Sequence, residues 1–273
     1  RTRDAISTAI GAVQLPDLLL QADADINFCE ALLGRKATSV DELIALYGGL
    51  IAHGTENDAK GVAAMIPQLQ PSQVTAAMRT LEGHGRLRRA NDRVVEFQRK
   101  IPIAELWGRG DKASADMMAL DASRHLYNAR VDPRRRTFAA GISTHVLDRY
   151  GVIYDQPIVL NERQSGAAVE GVERHNHSGE DRVRLSLLAV DTHGYTNATM
   201  SIAKLLGFDL CPQLRNLVER KLHLPRGIQI PDGVEQVTVL GVSLNAISKN
   251  WDEILRLIAS IRTGRLSPSM AVQ

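Results

Sequence analysis

The sequence predicts an α/β fold in which a mainly helical region precedes a mixed sheet flanked by helices. Two observations support this prediction. In the first hundred residues, apolar side chains recur at helical spacing, as over residues 43–51. From about residue 112 the pattern changes to short strand-like segments separated by turn signals. We therefore expect a helical region over residues 1–105 and a sheet-containing domain over residues 106–273.

Three helices are predicted within the first region. One begins after the capping sequence Ser39-Val-Asp-Glu42. A second contains apolar positions over residues 62–66 and is closed by Pro67, and a third covers residues 74–81. Residues 71–97 also resemble the second helix and wing of a winged-helix module, with a strand at 93–97. Under that alternative hypothesis the chain is a non-catalytic DNA-binding protein.

Strands and packed helices are predicted in the second region. The candidate strands cover residues 112–121, 137–146, 157–162 and 183–190. The last is apolar on both faces, as expected of a central strand covered on both sides. Thr196 or Asn197 can then cap a helix that ends at Gly207, and another amphipathic helix is predicted over residues 251–261.

Composition excludes several classes of protein. The chain has 273 residues and a net charge of +2, and no apolar run approaches the roughly 18 residues that a membrane span requires. We therefore expect a cytoplasmic protein without a membrane partner. Cys29 and Cys211 lack the paired spacing of a zinc site and are interpreted as core thiols. The His175-Asn-His177 pair lacks further ligands and is interpreted as loop.

Charge is distributed unevenly along the chain. Residues 14–60 contain eight acids and three bases, whereas residues 79–149 contain fifteen Lys and Arg against nine Asp and Glu. The basic clusters Arg86-Leu-Arg-Arg89 and Arg134-Arg135-Arg136 can contact phosphates, or they can form a solvated surface.

Asp191 stands where an apolar run ends and a helix begins. A carboxylate at the C-terminal tip of a buried strand points into the crevice where such sheets bind ligands. Asp116, which lies 75 residues upstream, is the candidate partner. Mg²⁺ prefers carboxylate oxygens, and a metal pair can drive phosphodiester chemistry. The two acids fit that role if their strands are neighbours; capping or turn roles are the alternative.

Several linked motifs surround these acids. Val190-Asp-Thr-His-Gly-Tyr-Thr196 is followed by Ala203-Lys-Leu-Leu-Gly-Phe208 and Cys211-Pro-Gln-Leu-Arg-Asn-Leu217. Upstream lie Val13-Gln-Leu-Pro-Asp-Leu-Leu19, Leu50-Ile-Ala-His-Gly54, and Trp107-Gly-Arg-Gly110 with Ala113-Ser-Ala-Asp116. In content and order these motifs resemble Tn3-family transposases, the enzymes of replicative, cointegrate-forming transposons. The resemblance extends from about residue 13 to about residue 266.

The resemblance implies a ribonuclease H-like catalytic domain with an Asp, Asp, Glu triad. Asp116 matches the first acid and Asp191 the second, so each is implied to be catalytic and to bind Mg²⁺, with Mn²⁺ as an alternative ion. The implied activity is metal-dependent cleavage at transposon ends followed by strand transfer. The implied partners are transposon-end DNA and target DNA, and pairing of two ends implies a homo-oligomer.

The chain departs from the family pattern at several positions. Met117 replaces a usual glycine, and Gln213 replaces a frequent arginine, while Arg215 remains as a phosphate contact. In the turn after Asp191, Thr192 and His193 can reach DNA or serve the turn alone. Gly194 is expected to supply a backbone conformation that other residues resist.

The third acid of the family lies on a helix farther downstream than this chain extends, so no glutamate is assigned to it. The unassigned candidates are Glu219, Glu235 and Glu253. We therefore expect a piece of the catalytic region, truncated at both ends, with a domain that is incomplete at its C-terminus and inactive alone.

Overall fold

The computed structural model describes residues 2–83, 85–160, 164–179, 182–216, 219–230, 232–233 and 237–272. The chain divides into two compact units, Arg1–Pro102 and Ile103–Gln273. Among the described residues, no single helix is long and apolar enough to cross a membrane. The bent pair formed by Thr2–Ile10 and Leu15–Ile26 passes that test together, on length and composition.

The first unit is helical over its described residues. Its helices are α1 (Thr2–Ile10), α2 (Leu15–Ile26), α3 (Phe28–Leu33), α4 (Val40–Gly54), α5 (Ala59–Met65), α6 (Pro71–Leu81) and α7 (Arg86–Lys100). The Ser39 side chain caps α4 by accepting a hydrogen bond from the Glu42 N–H at 3.2 Å, as the sequence predicts. Apolar side chains of α3, α4 and α6, including Leu32, Leu46 and Leu81, form one core cluster.

The winged-helix hypothesis is wrong, because residues 93–97 lie inside α7 and form no strand. The valines at 94 and 95 favour a strand locally, but tertiary contacts hold this segment as a helix. Arg86 Nη1 donates to the Leu32 carbonyl at 3.0 Å, and Arg93 Nη1 donates to the Ile26 carbonyl at 3.3 Å. These two arginines therefore hold α7 against α3 and α2.

The second unit contains the sheet. Its elements are β1 (Lys112–Asp121), β2 (Arg130–Val131), β3 (Phe138–Leu147), β4 (Val152–Ile158), α8 (Ser165–His177), β5 (Leu187–Val190), α9 (Asn197–Leu206), β6 (Asp209–Pro212), β7 (Lys221–Pro225), β8 (Thr238–Val242), α10 (Leu244–Lys249), α11 (Trp251–Arg262) and α12 (Pro268–Ala271). The helices at 197–206 and 251–262 agree with the sequence prediction.

The main sheet is mixed, with β1 at its centre. On one side β1 pairs antiparallel with β3, which pairs antiparallel with β4 and, farther along, with β2. On the other side β1 pairs in parallel with β5, and β5 with β6. Helix α8 packs against one face of this sheet. This arrangement confirms the predicted mixed sheet with packed helices; β7 and β8 form a separate parallel pair.

Two predicted strands have different limits. The strand expected at 157–162 is β4, which ends at Ile158; residue 162 lies outside the described residues. Pro157 fits there because β4 is an edge strand whose outer N–H groups need no partner. The strand expected at 183–190 begins only at Leu187, because Asn176 of α8 binds the backbone N–H and carbonyl of Leu185.

Helix α8 overturns the prediction of a loop at His175-Asn-His177. These residues form its last turn, and His175 is buried with Nε2 3.1 Å from the Val183 carbonyl. Facing α8, the buried His145 ring lies directly against Gly171, where any side chain would collide with it. Of the predicted core thiols, Cys29 is buried, but Cys211 is exposed on β6.

Candidate metal site and the cleft beside it

The two predicted metal-binding acids follow paired residues of adjacent strands. The parallel register pairs Ala115 of β1 with Val190 of β5; Asp116 is the next residue of β1, and Asp191 is the first residue after β5. Neighbouring strands lie about 4.8 Å apart. Ala115 and Val190 are buried, and successive strand residues point to opposite faces, so Asp116 lies on the more exposed face of the sheet; Asp191, just after β5, is half-buried.

Asp191 is held by the turn that follows it. Its Oδ1 accepts hydrogen bonds from the His193 and Gly194 N–H groups, both at 2.9 Å. Its Oδ2 lies 3.0 Å from His193 Nδ1. Partial burial raises the pKa of Asp191, but the hydrogen bonds from His193 and Gly194 outweigh burial and hold the pKa below its usual value. The carboxylate is therefore a fixed anion at neutral pH.

Gly194 is required for space and not for an unusual backbone, which corrects the prediction. The backbone of Gly194 does not have a positive φ. A Cβ built on Gly194 would lie 2.7 Å from the Val190 Cβ. Glycine therefore allows the turn to fold back onto β5 while its N–H binds Asp191.

Two further contacts fix this turn. Thr196 is the N-cap of α9, as the sequence allows, and its side chain accepts from the Thr199 N–H at 3.1 Å. Thr192 Oγ1 donates to the Gln213 carbonyl at 2.8 Å, which ties the turn to the chain after β6. The Thr192 hydroxyl proton is thus already engaged within the protein.

A cleft of about 250 Å³ opens beside Asp191. Its lining brings together three of the predicted DNA-contacting residues with the second acid. The lining residues are Asp191, Thr192, His193, Gln213, Leu214 and Arg215. Arg215 is exposed, and its guanidinium supplies the positive charge of the cleft. The sequence motif indicated most of this lining, whereas Leu214 was not singled out.

The predicted Arg134-Arg135-Arg136 cluster lies on the connection between β1 and β3. Arg135 has a structural role, because its Nε donates to Asp132 Oδ2 at 2.9 Å and its Nη1 lies 3.1 Å from Asp121 Oδ1. Arg134 and Arg136 are exposed. These two arginines are consequently the better placed of the three for phosphate contacts.

The donor set around the two acids suits a hard divalent cation. Asp116 Oδ1 accepts from the Met117 N–H at 2.7 Å, and no described residue donates to its Oδ2. Carboxylate oxygens are the ligands that Mg²⁺ prefers, and such sites use few protein ligands. Within the described residues, no group of three or more His, Cys, Asp and Glu side chains is close enough together to hold a metal ion.

Sequence comparison decides the family. The profile described as "Tn3 transposase DDE domain" matches residues 17–273. The chain belongs to this family. The transposase for insertion sequence element IS1071 in transposon Tn5271 of Comamonas testosteroni is 45% identical over 272 residues, covering 100% of this chain and 28% of that protein. The transposase for transposon Tn21 of Escherichia coli is 27% identical over 186 residues, covering 66% of the chain and 18% of that protein.

The chain therefore spans less than a third of these Tn3-family transposases. DDE domains of this kind generally use divalent metal ions. Among solved structures, a piggyBac transposase synaptic complex with hairpin DNA aligns with this chain at 12% identity and a TM-score of 0.36. The alignment covers 65% of this chain and 42% of the piggyBac chain.

Proposed function

We propose that this chain supplies two of the catalytic acids of a DNA transposase, Asp116 and Asp191. The observation that carries the proposal is their position one residue beyond the paired Ala115 and Val190 on adjacent parallel strands. Their sequence contexts match the first and second acids of the family, and the family profile covers both. The proposed reactions are metal-dependent cleavage at transposon ends and transfer of the freed strand to target DNA.

Asp116 and Asp191 would hold Mg²⁺, with Mn²⁺ as an alternative. When bound, the metal stabilises charge on the phosphodiester oxygens and activates the attacking oxygen. The N–H groups of His193 and Gly194 fix one carboxylate oxygen of Asp191, while the exposed His193 ring covers the other. The ring can rotate away, which opens Oδ2 to a ligand without unfolding the turn.

The proposed DNA contacts lie in two places. Arg215 and His193 line the cleft beside Asp191, where a cationic and a polar group can bind a phosphate. Arg134 and Arg136 present positive charge on the connection after β1. Thr192, whose hydroxyl binds Gln213, would position the turn. Because both transposon ends must be paired, we propose a homo-oligomer as the working form.

We further propose that the isolated chain does not cut DNA. The family triad has three acids, and the resemblance matches two of them here. Of the candidates left unassigned, Glu219 and Glu253 are exposed, and Glu235 lies outside the described residues. Incubation of the purified chain with Mg²⁺ and transposon-end DNA should leave the DNA intact. Mg²⁺-dependent nicking that disappears in Asp191→Asn would overturn this part of the proposal.

The metal site can be tested on the chain itself by titrating Mn²⁺ and following the free ion by electron paramagnetic resonance. Asp116→Asn and Asp191→Asn should each weaken Mn²⁺ binding at least tenfold, because each removes one negative ligand while keeping its shape. Asp155→Asn is the matched control. Asp155 is an exposed aspartate on β4 of the same sheet. It pairs with Thr144 of β3, and the other neighbour of Thr144 is Asp116 of β1. Equal effects of all three substitutions would contradict a specific site.

A further inference from the structure

The connection between β1 and β3 forms a strongly basic projection. We call residues 122–137 the arm; it includes the short strand β2. The arm contains five arginines and one acid, Asp132. The arginines are Arg124, Arg130, Arg134, Arg135 and Arg136, and all are exposed. Such a concentration of cationic side chains on one projection suits a polyanionic partner.

The arm is fixed from within by its one acid. Asp132 is buried, and its Oδ1 accepts from the Arg134 N–H at 2.8 Å while its Oδ2 accepts from Arg135 Nε at 2.9 Å. The Asp132 N–H donates to the Thr137 carbonyl at 2.8 Å. Arg135 also donates to the Ala119 carbonyl at 2.7 Å. These bonds pre-organise the arm, which lowers the entropy lost when it binds.

Tyr127 projects from this arm with 85% of its surface exposed. Its backbone is restrained, because Arg130 Nη1 donates to the Tyr127 carbonyl at 3.0 Å and to the Ala129 carbonyl at 2.8 Å. Ala129 is buried, so these bonds hold the Tyr127 backbone to a buried residue of the arm. An aromatic ring presented to solvent on a basic, pre-organised tip is a stacking platform for a nucleobase.

We propose that Tyr127 stacks on an unpaired nucleobase of DNA while Arg124, Arg134 and Arg136 contact the flanking phosphates. This inference rests on the proposed function, since it takes DNA as the partner. Aromatic rings bind bases of any sequence, whereas guanidinium groups bind the backbone. Strand β1 continues from Asp116 to Asp121, where the arm begins. At about 3.4 Å per residue this separation is about 17 Å, so one DNA segment can reach both.

The test measures binding of the purified 273-residue chain to two labelled DNAs by fluorescence anisotropy, without divalent ions. One is a blunt duplex and the other is the same duplex with an unpaired thymine overhang. Tyr127→Ala should weaken overhang binding about fivefold or more and leave blunt-duplex binding unchanged, because stacking is lost. Tyr127→Phe should retain the overhang preference. Leu126→Ala, at an exposed neighbour on the arm, is the matched control.

Arg134→Ala and Arg136→Ala should weaken binding of both DNAs equally. Each should also reduce the salt dependence of binding by about one released ion per lost contact. Three results would overturn the inference. The first is that the chain binds neither DNA. The second is that Tyr127→Ala binds the overhang DNA as tightly as the wild type. The third is that the arm substitutions alter self-association without DNA, which would indicate a protein contact. Mn²⁺ binding at Asp116 and Asp191 is measured separately, so failure of the arm leaves the proposed metal site intact.

Discussion

Asp116 and Asp191 each follow a paired position, Ala115 with Val190, on two adjacent parallel strands. Asp116 is held by strand β1, and Asp191 is held by the turn whose N–H groups at His193 and Gly194 donate to its carboxylate. A rigid pair of carboxylates needs little reorganisation to bind a cation.

In a full-length protein that contains this chain, Asp116→Asn or Asp191→Asn should reduce transposition about a thousandfold. Loss of a proposed metal ligand should remove several kcal/mol of transition-state stabilisation, and each 1.36 kcal/mol is tenfold in rate. Transposition frequency of a marked element is the measurement. Asp155→Asn should transpose normally, and retention of activity in either of the first two variants would refute the assignment.

Gly194→Ala should disturb the turn that holds Asp191. The added methyl group would lie 2.7 Å from the Val190 Cβ, so the turn must move away from β5. We expect Mn²⁺ affinity to fall about tenfold, because the N–H of residue 194 leaves Asp191 Oδ1. Gly241→Ala, which meets only ordinary contacts at 3.6 Å, serves as the control. Unchanged Mn²⁺ binding in Gly194→Ala would show that the turn does not position the acid.

The sequence predicts β1 over residues 112–121, which are the bounds that the structure shows. In β1 the buried Ala113 and Ala115 alternate with the exposed Ser114 and Asp116. Pairing of β1 with β5 depends on topology, which the 75-residue spacing does not encode.

Tertiary hydrogen bonds override local preference at some positions. The sequence predicts a strand at Leu185, but the Leu185 backbone binds the Asn176 side chain of α8 instead. The full role of Arg135 is not predictable from local sequence either, since two of its three partners, Asp121 and Ala119, belong to β1. A basic run in a sequence does not distinguish an arginine that anchors a loop from one that faces solvent.

Thr196→Ala should lower the free energy of unfolding by about 1 kcal/mol, because it removes the N-cap of α9. Urea denaturation provides the measurement. Ser201→Ala is the control within the same helix: its hydroxyl is exposed and donates to the Asn197 carbonyl one turn earlier. If both substitutions cost the same, the cap contributes nothing particular to this helix.

Neutralising the charge of the two buried glutamates of α8, Glu170 and Glu173, should change the stability of the protein in opposite directions. Glu173 is buried, neither of its carboxylate oxygens has a hydrogen-bond partner among the described residues, and burial raises its pKa. Glu170 accepts from Arg174 at 2.7 Å and from Ser269 at 2.5 Å. A raised pKa in the folded state means that stability falls as pH rises above the unfolded value of about 4.3.

Glu173→Gln should therefore stabilise the protein by about 1–2 kcal/mol at pH 7, because the amide carries no buried charge. This gain should shrink as pH falls towards about 4, where the wild-type carboxyl is protonated in the folded state and mostly protonated in the unfolded state. Glu170→Gln should instead destabilise at pH 7, since it breaks an ion pair with Arg174. Thermal melts of the three proteins between pH 4 and 8 check both signs. A Glu173→Gln gain that is independent of pH would mean that packing, and not charge burial, governs this position.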